Sequence, residues 1–250
     1  MTGYVDSKDK YSIIIPYRDR EAHIHTLLPR LCEVFCGKNY EIIVAEQDDT
    51  NLFCIANLQN IAYKHSSGDV VILHQVDYYP TDDVTYEVGD KPTLPARVGI
   101  FLSEDMKELR DVGDIPAGYR NWGNEIDPNF YGGVVAMRRN HWEKINGLNP
   151  LYRGWGNEDE DLRERFRWNN ITPIRNEVGT FYCLYHSDNG NMAALEEEKQ
   201  LAFMEGRKIL QRAWYYKDLG YKNVEADIEK YDCGIENVIW LKITNFKFNL

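Results

Sequence analysis

Four consecutive acids, Glu158-Asp159-Glu160-Asp161, follow the turn Gly154-Trp155-Gly156-Asn157. Carboxylates in a row repel one another, so the fold must either neutralise them or use them. One reading is structural: Asn157 as a helix N-cap, with the acids complementing the dipole of the first turn. The other is chemical. Glycines flanking Trp155 leave room for a ligand against its ring, and a carboxylate at a helix start serves as general base toward an acceptor hydroxyl. Asp77 closes an apolar run, and His186 ends Phe181-Tyr182-Cys183-Leu184-Tyr185-His186. Carboxylate plus imidazole suits a divalent cation such as Mn²⁺, with nucleotide phosphates completing its shell; a lone histidine has a packing role as the plainer alternative. Arg18 and Arg20 leave the first apolar run on the same side, spaced to meet a diphosphate by charge-assisted bonds, or to pair with Asp19 or Glu21. No Walker lysine motif and no G-x-G-x-x-G follows that run, so a glycine loop is not what holds phosphate.

These side chains need elements to position them. Tyr11–Pro16, Glu41–Ala45 and Asp69–Leu73 are short, β-branched apolar runs, the pattern of strands buried on both faces. Glu21–Cys36 and Ile55–Lys64 carry apolar residues at helical spacing between them, and Pro29 predicts a kink or restart in the first. Strand–helix alternation of this kind predicts an α/β fold with a mostly parallel central sheet flanked by helices. Ligands collect beyond the carboxyl ends of such strands, here residues 16–20, 46–49 and 74–77, all polar. Further strands are expected over Ala96–Leu102, Phe130–Met137 and Asn237–Phe248, and helices over Glu158–Trp168 and Ala193–Tyr216. The rest of Thr81–Asn129 reads as loops.

The chain has 250 residues, 40 Asp+Glu against 29 Lys+Arg and a net charge of -11, which opposes nucleic-acid binding. A hydrophobic content of 43%, with 13% aromatic, supports a sizeable core and excludes disorder of the whole chain. No apolar run reaches the length of a transmembrane helix, and Met1–Lys10 lacks the apolar stretch of a secretion signal. Five cysteines without zinc-type double pairs read as free thiols in a reducing compartment.

Several motifs then fall in a familiar order. They are Ile15-Pro16-Tyr17-Arg18-Asp19-Arg20-Glu21-Ala22-His23; Gln47, Phe53 and Asn60; Val76-Asp77; Tyr131-Gly132-Gly133-Val134; Ile145-Asn146-Gly147; the Gly154–Asp161 block; and His186. Over about Tyr11 to His186 the sequence resembles the β-1,4-galactosyltransferase family. The resemblance implies a GT-A type, Rossmann-like nucleotide-sugar-binding fold as one domain over 1–250, with a nucleotide-binding half at 11–80 and an acceptor-binding, catalytic half at 81–250. It implies an inverting transfer of a hexose, galactose favoured, from a UDP-sugar to a carbohydrate hydroxyl. By motif, Pro16, Tyr17, Arg18 and Arg20 would hold uridine and diphosphate, with Val76, Asp77, Gly133, Trp155 and Glu158 also on the donor. Asp77 and His186 would hold Mn²⁺ or another divalent cation, Asp159 would be the general base, and Phe130 and Glu160 would face the acceptor. Asp188–Asn191 would belong to a lid closing over the donor.

The sequence also departs from that pattern. Gln75 stands where the family's D-x-D begins, which removes a charge from the metal site. The family's methionine or histidine ligand just before His186 is replaced: Cys183 or Leu184 stands there, and Cys183 could supply sulfur to the metal as Gln75 could supply oxygen, although a thiolate prefers softer metals than Mn²⁺. No arginine follows Phe53-Cys54. Phe130 is bulky like the galactose-type tyrosine but lacks its hydroxyl. A degenerate sugar- or nucleotide-binding module and a transferase using a UDP-N-acetylhexosamine are the alternatives. A glycoside hydrolase using two of the acids would leave the arginines and Asp77 unexplained. The expected setting is soluble and cytoplasmic, bacterial or viral rather than Golgi.

Overall fold

The computed structural model describes residues 8–95, 97–102, 109–110, 130–154, 156–176, 178–184 and 196–249. In chain order these form β1 (Lys10–Tyr17), α1 (Glu21–Val34), β2 (Asn39–Gln47), α2 (Ile55–Lys64), β3 (Val70–His74), β4 (Tyr78–Pro80), β5 (Thr93–Leu94) and β6 (Arg97–Leu102). There follow β7 (Leu109–Arg110), β8 (Val134–Arg138), α3 (Arg139–Ile145), α4 (Glu158–Trp168), β9 (Ile174–Arg175), β10 (Thr180–Leu184), α5 (Glu197–Gln211), β11 (Val224–Tyr231) and β12 (Val238–Phe248). The main sheet has the order β11-β12-β2-β1-β3-β8-β5-β9, and β4-β10-β6-β7 form a second. β12, β2, β1 and β3 are mutually parallel, so their carboxyl ends share one edge. β8 lies antiparallel to β3 and delivers its start to that same edge.

The isoleucines of β1 show why the sheet takes helices on both faces. Successive strand residues point to opposite sides. Ile13 and Ile15 join the cluster built with Ile24, Leu27, Leu28 and Leu31 of α1. Ile14 joins the opposite cluster, with Leu58 and Ile61 of α2, Trp142 of α3, and Leu162 and Phe166 of α4. Burying each such side chain is worth about 1.5–3 kcal/mol. The α/β expectation holds, with a parallel centre and antiparallel flanks. The restart expected at Pro29 does not occur, because α1 runs through it as one helix. Pro29 and His25, four residues earlier, are both exposed, so water reaches the carbonyl that the missing N–H leaves without a donor.

At the opposite ends of the strands Glu41 is buried as a clamp. It accepts from Lys10 Nζ at 2.8 Å, Ser12 Oγ at 2.7 Å and the Ser67 N–H at 2.6 Å. Burial works to raise its pKa, but these donors outweigh it and hold the carboxyl below its usual range. All five cysteines are free. No helix among the described residues is long and apolar enough to cross a membrane.

Candidate functional site

The shared strand edge carries the first part of the site. Pro16 and Tyr17 end β1 and are buried, and Asp19 then takes a left-handed conformation at φ 51°. The two arginines on either side of it reach different carbonyls, and Arg18 Nε also approaches Asp19 Oδ2 at 4.0 Å. Arg18 Nη1 donates to the Asn51 carbonyl at 2.6 Å, and its guanidinium lies 5.2 Å from the centre of the Phe53 ring. Arg20 Nη1 donates to the Asp19 carbonyl at 3.1 Å. Arg18 therefore belongs to the loop after β2 and Arg20 to the start of α1. Gln47 organises that loop: its Nε2 donates to Asp49 Oδ1 at 2.8 Å and its Oε1 accepts from the Cys54 N–H at 2.8 Å. Burial tends to raise the Asp49 pKa, but hydrogen bonds from Gln47 and Asn51, together with the Arg18 charge, lower it.

The second part is a junction between β3, β8 and β10. The Gln75 N–H donates to the Gly133 carbonyl at 2.9 Å, and the Leu184 N–H donates to the Asp77 carbonyl at 2.7 Å. Cys183 pairs with Tyr78 across β10 and β4. Tyr78 is buried at the centre of this junction. Burial first, then the charges near it at Cys183, Asp77 and Asp159, push its hydroxyl pKa well up. The glycine pair is required by this packing. Gly133 has φ +83°, and a Cβ there would stand 2.4 Å from the Tyr78 ring. A Cβ on Gly132 would stand 2.7 Å from the Phe130 ring and 3.1 Å from Asp159 Oδ2. Asp77, Cys183, Tyr78, the Gly132-Gly133 pair, Phe130 and Asp159 thus share one neighbourhood, although they come from well-separated stretches of chain.

The third part is the start of α4, where the structure separates the roles of the four acids. Asp161 is 0% exposed and pairs with Arg165 at 2.6 Å. Arg165 in turn donates to the carbonyls of Ile145 at 3.0 Å and Leu219 at 2.8 Å. Glu160 accepts from Arg207 Nη1 of α5 at 2.7 and 2.8 Å. Asp159 Oδ1 accepts from the Glu160 N–H at 2.9 Å, and its Oδ2 lies against Gly132. Burial raises the pKa of both Glu158 and Asp159; the Asp159 charge adds to it for Glu158, and the Glu160 charge for Asp159. Asn157 occupies the N-cap position at φ 76° but makes no capping bond with its side chain. Its Nδ2 instead donates to the Phe203 carbonyl of α5 at 3.2 Å. The Gly154 N–H donates to the Phe53 carbonyl at 2.9 Å, which ties this turn to the loop that holds Arg18.

Trp155, His186 and Asp188–Asn191 lie outside the described residues. Among the described residues no three His, Cys, Asp or Glu side chains form a metal-holding group. The Cys183 thiol is buried, and burial together with the Asp77 charge pushes its pKa well up. Its sulfur suits softer cations than Mn²⁺. Sequence reasoning missed Tyr78, although it directly follows Asp77. It also missed Arg207, whose partner lies 47 residues away and leaves no local signal.

Comparison with known proteins bears on this geometry. A family described as the N-terminal region of glycosyl transferase group 7 matches residues 4–88, and one described as the N-terminal domain of galactosyltransferase matches residues 127–187. Beta-1,4-galactosyltransferase 4 of Cricetulus griseus is 31% identical over 202 residues, covering 77% of this chain and 53% of that protein. A beta-N-acetyl-D-glucosaminide beta-1,4-N-acetylglucosaminyl-transferase of Lymnaea stagnalis is 34% identical over 163 residues, 63% of this chain and 30% of the relative. The chain spans about half the length of the galactosyltransferases it matches. Among solved structures, a Drosophila β1,4-galactosyltransferase 7 mutant in complex with manganese, UDP-Gal and xylobiose superposes with a TM-score of 0.68 at 21% identity. That match covers 96% of this chain and 94% of the other, and it identifies the fold as GT-A. The chain belongs to the β-1,4-galactosyltransferase family.

Proposed function

We propose that this protein is an inverting glycosyltransferase that moves a hexose, galactose favoured, from a UDP-sugar to a hydroxyl of a carbohydrate acceptor. The observation that carries the reading is the placement of Asp159. One carboxylate oxygen is fixed by the Glu160 N–H and the other lies against Gly132, beside Phe130 and in the same neighbourhood as Asp77. Asp159 Oδ2 takes the proton of the acceptor hydroxyl as that oxygen bonds to the anomeric carbon. The bond from that carbon to the phosphate oxygen breaks on the opposite face, and its electron pair leaves with UDP. A positioned base of this kind contributes about 10²–10⁴-fold.

Pro16, Tyr17, Arg18 and Arg20 bound the nucleotide end, and Val76, Gly133, Trp155 and Glu158 the donor sugar and phosphates. Phe130 and Glu160 stand on the acceptor side, the latter fixed by Arg207. Asp77, with His186 two residues beyond the end of β10, would hold a divalent cation, Mn²⁺ in the first instance. When bound, that cation neutralises charge growing on the departing diphosphate. Gln75 can add an amide oxygen, and Cys183 a sulfur that suits softer cations than Mn²⁺. Residues 11–80 serve as the nucleotide half and 81–250 as the acceptor half. Five free thiols fit a reducing, cytoplasmic setting.

A UDP-N-acetylhexosamine donor is the second reading, supported by the name of the Lymnaea relative and by Phe130 in place of a tyrosine. Calorimetric titration of UDP with Mn²⁺, followed by UDP release over donor and acceptor panels, tests both. The first reading expects UDP-galactose to be turned over fastest, and a faster UDP-N-acetylhexosamine decides for the second. Absence of UDP binding refutes them together.

A further inference from the structure

Beyond the catalytic neighbourhood, α4 and α5 border an open groove of about 510 Å³, walled by Arg163, Glu164, Arg167, Trp168, Gln211 and Trp214 among others. We propose that this groove is a subsite for an anionic oligosaccharide, holding sugar units of the acceptor remote from the reacting hydroxyl.

Four observations lead there. The first is continuity with the catalytic helix. Arg163 stands one turn beyond Asp159 on α4, close enough for its charge to lower the Asp159 pKa while it also walls the groove. From Asp159 to Trp168 the helix advances about 14 Å at 1.5 Å per residue, a span that a short oligosaccharide covers. The second is the aromatic lining. Trp168 and Trp214 meet edge to face, with ring centres 5.3 Å apart at 84°. Trp214 keeps 53% of its surface exposed. Exposed tryptophan faces stack on the C–H faces of sugar rings. The third is the planar polar set. The guanidinium of Arg167, side chain 68% exposed, together with the Gln211 amide and the Glu164 carboxylate, presents paired hydrogen-bonding groups suited to neighbouring hydroxyls. The fourth is charge. Glu164 engages both Arg167, at 2.7 Å, and Arg163, at 3.7 Å, so one carboxylate faces two guanidiniums. Lys217, outside the lining, sets its ammonium over one face of the Trp214 ring, 4.1 Å from the centre. The lining thus carries one more positive than negative charge, and in a chain of net charge -11 that favours an acidic saccharide over a neutral one.

The inference rests on the transferase reading for its link to the acceptor, and one experiment separates the two. A hyaluronan hexasaccharide, which carries a carboxylate on every disaccharide, is titrated by calorimetry into the full chain, with neutral chitohexaose as the length-matched control. UDP with Mn²⁺ is titrated in parallel. The groove requires the acidic probe to bind at least tenfold more tightly than the neutral one and to weaken as salt is raised. It also requires about tenfold loss in Trp214→Ala and in Arg167→Ala, each a change at an exposed position, with the melting temperature confirming that the variant is folded. No binding of the acidic probe, equal affinity for both probes, or undiminished affinity in folded variants overturns the proposal. Hexasaccharide binding without UDP binding refutes the transferase reading and leaves the groove standing; UDP binding without hexasaccharide binding does the reverse.

Discussion

Glu158 and Asp159 are held where ionisation is unfavourable, and that has a cost visible in stability. A carboxyl whose folded pKa is raised favours folding fully below its unfolded pKa and loses that contribution as pH rises through the folded pKa. Both residues follow this sign. Glu158→Gln is therefore expected to raise the melting temperature at neutral pH by about 2–4 °C, the shift that ~1 kcal/mol gives in a chain of this size. The gain should shrink toward zero as pH falls into the ordinary carboxylate range. Thermal melts at pH 4 and pH 7.5 check this, and equal gains at both pH values would remove the electrostatic cause. The same raised pKa at Asp159 sets the acid limb of activity. A base must be deprotonated, so kcat/KM should fall with decreasing pH at values above the usual aspartate range. Glu41 carries the opposite sign, since its lowered pKa makes its contribution disappear as pH falls through the folded value.

The elements fix these residues by contacts that are costly to remove. The Asp161–Arg165 pair is fully buried and ties α4 to the chain on either side. Asp161→Ala leaves a buried guanidinium without its counter-charge, and denaturant unfolding should show a loss of about 3–5 kcal/mol. A loss below 1 kcal/mol would mean that the pair does not hold the helix. Gly133→Ala must push Tyr78 aside and place alanine at positive φ, a cost of about 1–2 kcal/mol from the backbone alone. It should weaken UDP binding as well as stability, because Tyr78 packs beside Asp77. At this scale the sequence was legible where burial is two-sided. β1, β2 and β3 stand out as apolar runs, and α4 was read with its boundaries. β11 was not seen, because an edge strand that alternates Glu225, Asp227 and Glu229 with half-buried neighbours lacks an apolar run. The strand expected from Phe130 begins at Val134, since Tyr131-Gly132-Gly133 is spent on the turn that faces Tyr78 and Asp159.

For the whole molecule, parallel strands put their carboxyl ends on one edge, and two covalently distant units complete it. β8 arrives antiparallel beside β3, and α4 arrives with its start against Gly132. That convergence explains why the acid block was readable as a motif while the division of labour within it was not. The partners that neutralise Glu160 and Asp161 are Arg207 and Arg165, and only the packing of α5 on α4 selects the first of them. Where Arg18 and Arg20 turn is hidden from a spacing rule for a similar reason, because the left-handed conformation at Asp19 between them is a backbone property. The central claim is that Asp159 acts on the acceptor while Asp77 serves the nucleotide. Calorimetric UDP·Mn²⁺ affinity measured beside turnover for Asp159→Asn and Asp77→Asn tests it most directly. The account predicts that Asp159→Asn keeps UDP affinity and loses about 10²–10⁴-fold in turnover, whereas Asp77→Asn loses UDP affinity. Near-normal turnover in Asp159→Asn, or equal loss of UDP binding in both variants, would contradict it.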